Sequence, residues 1–176
     1  AKQVVNTYSS KDLREIIKTF GDEEEASKIA RNIEKVRANK KINSTDELVE
    51  IIKRSKKKNY KRKIDQNTKT FQAIRIFVNQ EISELIEGII KATKILKPGG
   101  KLIVISFHSI EDKIIKFYFK NFSKNHSRSN KYFPEQNKNL SLFENYKNKI
   151  IKATSKEIKR NPRSRSAKLR VAVRSG

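Results

Sequence analysis

The sequence predicts an α/β fold in which a helical subdomain, residues 1–65, precedes the last strands of an open sheet, residues 66–176. Three observations carry this. Residues 102–107 (LIVISF) form a near-continuous apolar run after a Pro-Gly-Gly turn, the pattern of a strand buried on both faces of a parallel sheet. Residues 168–174 (KLRVAVR) alternate, as in a final, partly exposed strand. The first 60 residues show helical spacing and cap patterns instead.

The elements follow in order. Ser9 and Asp12 form a cap-like pair, with Leu13, Ile16, Ile17 and Phe20 at helical spacing and Gly21 as a stop. Residues 22–25 are acidic and suit the first turn of a second helix, whose apolar stripe is Ile29, Ile33 and Val36. Ser44 and Glu47 make a capping-box pattern for a third. Residues 53–63 (KRSKKKNYKRK) are a basic run with one tyrosine. Such a run either tracks a phosphate backbone, with Tyr60 stacking on a base, or is a solvated loop. Residues 70–96 read as one long amphipathic helix, with Arg75 and Asn79 four apart on one face. After residues 98–100 (PGG) and the apolar strand, Ser109 and Asp112 suit the cap of a helix over 110–122. Residues 123–147 read as a long, variable loop, in which His126 is expected to be exposed and silent. A short strand over 149–153 and a Thr154–Glu157 cap pattern lead to the final strand.

Composition bounds the function. The 176 residues carry 42 Lys+Arg against 19 Asp+Glu, a formal net charge of +23. That balance favours an anionic partner, nucleic acid before membrane surface. With no cysteine, disulfides, zinc ribbons and thiol catalysis are excluded, and two histidines are too few for a histidine-rich metal site. No apolar run approaches the roughly 18 residues of a membrane span. A soluble, cytoplasmic protein without a metal is expected.

Helix, Lys-Pro-Gly-Gly turn, buried strand and helix are the usual late part of a Rossmann-like methyltransferase sheet. Only five glycines occur, none in a dinucleotide or P-loop pattern, so the sequence offers no complete nucleotide-cofactor site. The wording of three segments is more specific. Residues 70–85 (TFQAIRIFVNQEISEL), 96–116 (LKPGGKLIVISFHSIEDKIIK) and 161–172 (NPRSRSAKLRVA) closely resemble the bacterial 16S rRNA cytosine-N4 methyltransferase family, of the RsmH or MraW type. Residues 9–37 are similar to that family's inserted helical domain.

The resemblance implies a partial Rossmann-like class I methyltransferase sheet carrying an inserted helical subdomain. It implies S-adenosylmethionine-dependent methylation of N4 of a cytidine in small-subunit (16S) rRNA, with that rRNA or the small ribosomal subunit as partner. It begins midway through the family's pattern. The family's glycine-rich S-adenosylmethionine loop and acidic ribose ligand have no counterpart here, so no cofactor-binding residue is assigned. The chain therefore reads as the C-terminal half, inactive alone, and its apolar strand needs a cover from an N-terminal half or a homo-oligomer contact. The rival reading is a stand-alone basic RNA-binding module without chemistry.

Cytosine's amine is a poor nucleophile and must be positioned and relieved of a proton. Ser106, Phe107, His108 and Ser109 stand at the carboxyl end of the apolar strand, where open α/β sheets bind ligands and a flipped base would lie. Under the resemblance Phe107 stacks on the base, and His108, the candidate catalytic residue, or Ser109 bonds its edge. The plainer readings are a core phenylalanine, a structural histidine and a capping serine. Arg163 and Arg165, with Ser164 and Ser166, either grip RNA phosphate or pair within the sheet edge. Arg75 and Asn79 either fix a substrate loop or form a structural ion pair.

Overall fold

The structure, a computed structural model, describes residues 1–56, 67–124 and 141–176. Most of the basic run, with Tyr60, and His126 lie outside the described residues. The chain divides into two units, Ala1–Ile82 and Ser83–Gly176.

The first unit is helical: α1 (Lys2–Thr7), α2 (Ser10–Gly21), α3 (Ala26–Asn39), α4 (Thr45–Ser55) and α5 (Thr68–Val78). Local chemistry sets the boundaries. The Ser9 hydroxyl accepts from the Asp12 N–H at 3.1 Å and starts α2. Ser44 and Glu47 complete a reciprocal capping box on α4. There the Glu47 carboxyl is lowered to about 2 by the Asn43 N–H, the Lys40 ammonium and the Ser44 N–H. The acidic stretch 22–25 lies ahead of α3 rather than in its first turn, because Asp22 closes α2 in the left-handed region and α3 starts at Ala26.

The apolar stripes converge on one core that includes Leu13, Ile17, Ile29, Ile33 and Ile52, all fully buried. Tyr8 meets the Phe77 ring edge-on at 5.6 Å. α2 and α5 meet closely at Gly21, where a Cβ would lie 2.6 Å from the Lys69 carbonyl oxygen. The Asn6 side chain donates to the Ile42 carbonyl at 2.8 Å and accepts from its N–H at 2.9 Å, pinning the α3–α4 connection. A buried Lys56–Glu23 ion pair ties the end of α4 to the α2–α3 turn.

The expected long helix over 70–96 is two helices. α5 ends at Val78 and α6 spans Glu81–Ile95. Gln80 between them has φ 53, a left-handed conformation that no helix interior accepts. The Arg75 guanidinium reaches across the break to both oxygens of Glu81, at 2.8 and 3.0 Å, and Asn79 Nδ2 joins at 3.3 Å.

The second unit holds most of α6, then β1 (Lys101–Ser106), α7 (Ser109–Asn121), β2 (Ile151–Lys152), α8 (Ser155–Arg160), a 3₁₀ turn (Pro162–Ser166) and β3 (Lys168–Val173). The sheet order is β1-β3-β2, with β3 antiparallel to both neighbours. Gly99, at φ 78, turns the chain into β1, and its N–H donates to the Arg174 carbonyl at 2.9 Å.

The pattern of residues 102–107 predicted a strand buried on both faces of a parallel sheet. The described sheet is antiparallel and covered on one face. Leu102, Val104 and Ala172 pack with Ile115 and Phe119 of α7, whereas Ile103 and Ile105 are 56% and 53% exposed. Among the described residues β1 is an edge strand, and β3, expected last and partly exposed, is the central one. The 123–147 region is not all loop. Phe143 is fully buried, bridges to Ser123 and Arg174, and meets the Phe119 ring edge-on at 5.3 Å.

Candidate functional site

β1 delivers the chain to a tight corner. Past Ser106, the Phe107 N–H donates to Glu111 Oε2 at 2.8 Å, and the His108 N–H to the same oxygen at 3.3 Å. His108 Nδ1 in turn accepts from the Glu111 N–H at 3.4 Å. His108, not Ser109 or Asp112, is therefore the N-cap of α7 in a reciprocal capping box. The sequence pattern hid this because histidine is an uncommon cap. An accepting Nδ1 leaves Nε2 to carry the ring proton. That Nε2 is buried and makes no hydrogen bond, although Glu111 Oε1 lies 3.1 Å away.

Asp112, one position further, binds across to β3 rather than capping. Its Oδ1 accepts from Arg170 Nε at 2.7 Å, and its Oδ2 from Lys168 Nζ at 3.0 Å and Arg170 Nη2 at 3.2 Å. Arg170 Nη1 also donates to the Tyr146 hydroxyl and to Asn148 Oδ1, both at 2.8 Å. The Arg170 side chain is 2% exposed, so the cluster is a buried charge satisfied on every side. Burial pushes the Asp112 carboxyl up, but hydrogen bonds from Arg170 and Lys168 outweigh it and hold the carboxyl below its usual range. Burial likewise opposes the Arg170 charge, and the bonds to Asp112 and Tyr146 hold its pKa above the ordinary value.

The corner forms one wall of an open cleft of about 240 Å³. Phe107, His108 and Ser109 line one side; Lys152, Arg165, Ser166, Ala167 and Lys168 line the other. The Phe107 ring is 56% exposed. Among the described residues no carboxylate lines the cleft, while three cations do. Register explains the meeting: Ser106 lies opposite Lys168, and Lys168 opposite Lys152, in one row across the sheet. The cleft thus sets three cationic side chains beside an exposed aromatic ring.

Of the residues singled out in the sequence, Phe107, His108, Ser109, Arg165 and Ser166 share this cleft. Ser106 does not; it is 1% exposed, and its hydroxyl donates to the Lys168 carbonyl at 3.4 Å. Arg163 is exposed on the 3₁₀ turn outside the lining, and Ser164 is buried, donating to the Asn161 carbonyl at 2.8 Å. Arg75 and Asn79 belong to the first unit, engaged with Glu81. Lys152, Lys168 and Arg170 were not singled out. Nothing local marks them, because the antiparallel pairing is what brings Lys152 and Lys168 to the cleft and Arg170 to Asp112 beneath it.

These features define an α/β protein with a cation-lined cleft at the end of a sheet strand. The chain matches the model of the MraW methylase family over residues 1–175 and belongs to that family. It is 44% identical over 175 residues to the "Ribosomal RNA small subunit methyltransferase H" of Sulfurihydrogenibium sp. (strain YO3AOP1), covering 99% of this chain and 55% of that protein. It is 44% identical to the protein of the same name from Ehrlichia ruminantium (strain Gardel), over 99% of this chain and 56% of the relative. For that of Rickettsia massiliae (strain Mtu5) the figures are 42%, 98% and 56%. The chain thus spans about half the length of the curated relatives it matches.

Proposed function

We propose that this chain is the C-terminal, RNA-holding portion of an S-adenosylmethionine-dependent methyltransferase that modifies N4 of a cytidine in 16S rRNA. Its relatives' printed name supports the rRNA and methyl-transfer parts. The observation that carries the reading is the cleft joining Phe107, His108 and Ser109 to Lys152 and Arg165.

In this reading a cytidine leaves its stack and lies on the exposed Phe107 ring. The His108 ring borders the base, its buried Nε2 reaching the base edge only by turning away from Glu111 Oε1, and the Ser109 hydroxyl contacts that edge directly. Lys152 and Arg165, with the Ser166 hydroxyl, hold the flanking phosphates. Lys168, partly engaged by Asp112, adds positive field. Arg163 contacts RNA from the exposed turn, and Arg75 and Asn79 act indirectly by fixing the α5–α6 break. Ser106 supports the corner from below.

The cleft residues do not fit S-adenosylmethionine. The cofactor is a sulfonium cation with ribose hydroxyls to satisfy, and the cleft presents cations and no carboxylate among the described residues. We place the cofactor in the part of the family pattern that this chain does not carry. The free edge of β1 would pair there with the remaining strands of a Rossmann-like sheet, covering Ile103 and Ile105. The subdomain over 1–65 is then an insertion between the two parts.

The test is twofold. Calorimetric titration of S-adenosylmethionine into the folded chain should give no binding. Mixing the chain with the N-terminal portion of a relative, 16S rRNA and S-adenosylmethionine should yield N4-methylcytidine on nucleoside mass spectrometry. Tight cofactor binding by this chain alone would sink the division of labour. RNA binding without any methylation in the mixture would favour the non-catalytic RNA-binding module.

A further inference from the structure

The first unit carries a second basic surface, built differently from the cleft. α3 buries Ala26, Ile29, Ala30 and Ile33, which turns Lys28, Arg31 and Lys35 outward at helical spacing. With Arg54 and Ser55 of α4 they line a groove of about 490 Å³. Several other cations of this unit face carboxylates: Arg14 meets Glu15, Arg37 Glu34, Lys40 Glu47 and Lys53 Glu50. Lys28, Arg31, Lys35 and Arg54 have no carboxylate within ion-pair distance among the described residues. Arg31 spends only its Nε, on the Ser27 carbonyl at 3.2 Å. The Lys28–Lys35 row runs about 10 Å along the helix at roughly 1.5 Å per residue, longer than one phosphate group.

The groove continues into a hollow of about 630 Å³, sharing Asn32, Lys35 and Arg54. Val36, Ile42 and Ile51 give the hollow an apolar lining, and Val36 is 42% exposed. Its acidic rim is partly spent: Glu47 accepts from Lys40 and backbone N–H groups, and Glu50 faces Lys53 at 3.3 Å. A row of free cations beside an apolar hollow suits a polyanion that carries flat apolar groups. An RNA duplex hides its bases, whereas a single strand can place one there.

We propose that the α3–α4 face docks single-stranded RNA, with Lys28, Arg31, Lys35 and Arg54 on successive phosphates and an unstacked base over Val36, Ile42 and Ile51. This rests on the RNA reading given above and adds an anchor on residues outside the cleft.

The test uses the 176-residue chain and fluorescence anisotropy with a labelled single-stranded RNA of about 12 nucleotides, at about 50 and about 200 mM KCl. The triple variant Lys28→Ala/Arg31→Ala/Arg54→Ala changes exposed side chains only, and circular dichroism melting checks that it folds. It should bind at least tenfold more weakly. Its log–log salt slope should become shallower by about 2, at about 0.7 for each phosphate left without its cation. Val36→Asp should weaken the single strand severalfold. The cleft variant Lys152→Ala/Arg165→Ala should weaken binding independently. Unchanged affinity and slope in the triple variant, with weakening in the cleft variant, overturns the docking face while the cleft reading stands. Weakening in neither overturns both. A matched RNA duplex bound as tightly as the single strand overturns the docking face too. So does binding to phosphatidylglycerol vesicles that the triple variant abolishes while RNA binding persists.

Discussion

His108 caps α7 through Nδ1 and, in the proposed function, also serves the base with its ring, which borders the cleft. Substitution separates the two roles. His108→Asn keeps a good cap and should hold stability within about 0.5 kcal/mol, whereas His108→Ala should cost about 1 kcal/mol in urea denaturation. If the ring serves the base, both variants lose RNA affinity equally; weaker binding in Ala alone would make His108 only a cap. Asp112 and Arg170 carry a larger consequence. Asp112→Ala strands a buried guanidinium and should cost about 3 kcal/mol or more, while Asp112→Ala/Arg170→Met should recover much of it. The Asp112 carboxyl is depressed in the fold, so its contribution is complete above its ordinary value of 3.8 and is lost as pH falls through the lower folded value. Acid titration of stability by circular dichroism should therefore be shallower below about pH 4 in Asp112→Asn than in the parent.

At the scale of elements, caps and close approaches govern. A Cβ at Gly21 would stand 2.6 Å from a backbone oxygen of α5 and cannot be relieved by a side-chain rotation. Gly21→Ala should cost about 1–3 kcal/mol in the first unit by thermal melting; an unchanged melt would mean that α2 and α5 pack less tightly than described. The cap patterns at Ser9, Ser44 and Thr154 were legible because each involves residues three positions apart. The break at Gln80 was not. The apolar residues of 70–96 keep a helical period across it, and only its own backbone and the Arg75–Glu81 pair reveal the interruption.

At the scale of the molecule, the described sheet is half covered. Ile103, Ile105 and Ile151 lie exposed on the face away from α7, and β1 has a free edge among the described residues. Such an edge recruits other strands. Sedimentation of the isolated chain should show concentration-dependent association, and Ile103→Lys/Ile105→Lys should suppress it. A chain that stays monomeric at high concentration would argue against an uncovered face. The charge of +23 acts at the same scale, and the affinity for RNA proposed above should fall steeply with salt.

The sequence by itself determined α2, α3, α4 and α7, the caps at Ser9, Ser44 and Thr154, the turn after the apolar strand, and the family resemblance. These depend on spacing over a few residues or on runs of specific wording. Only the tertiary structure decided the antiparallel order β1-β3-β2, the one-sided burial of the apolar strand and the partners of Asp112. Asp112 meets Lys168 and Arg170 across 56 and 58 residues of chain. No local pattern encodes such a meeting, because strand register is set by which faces bury together, and a buried charge takes whichever partner that register supplies.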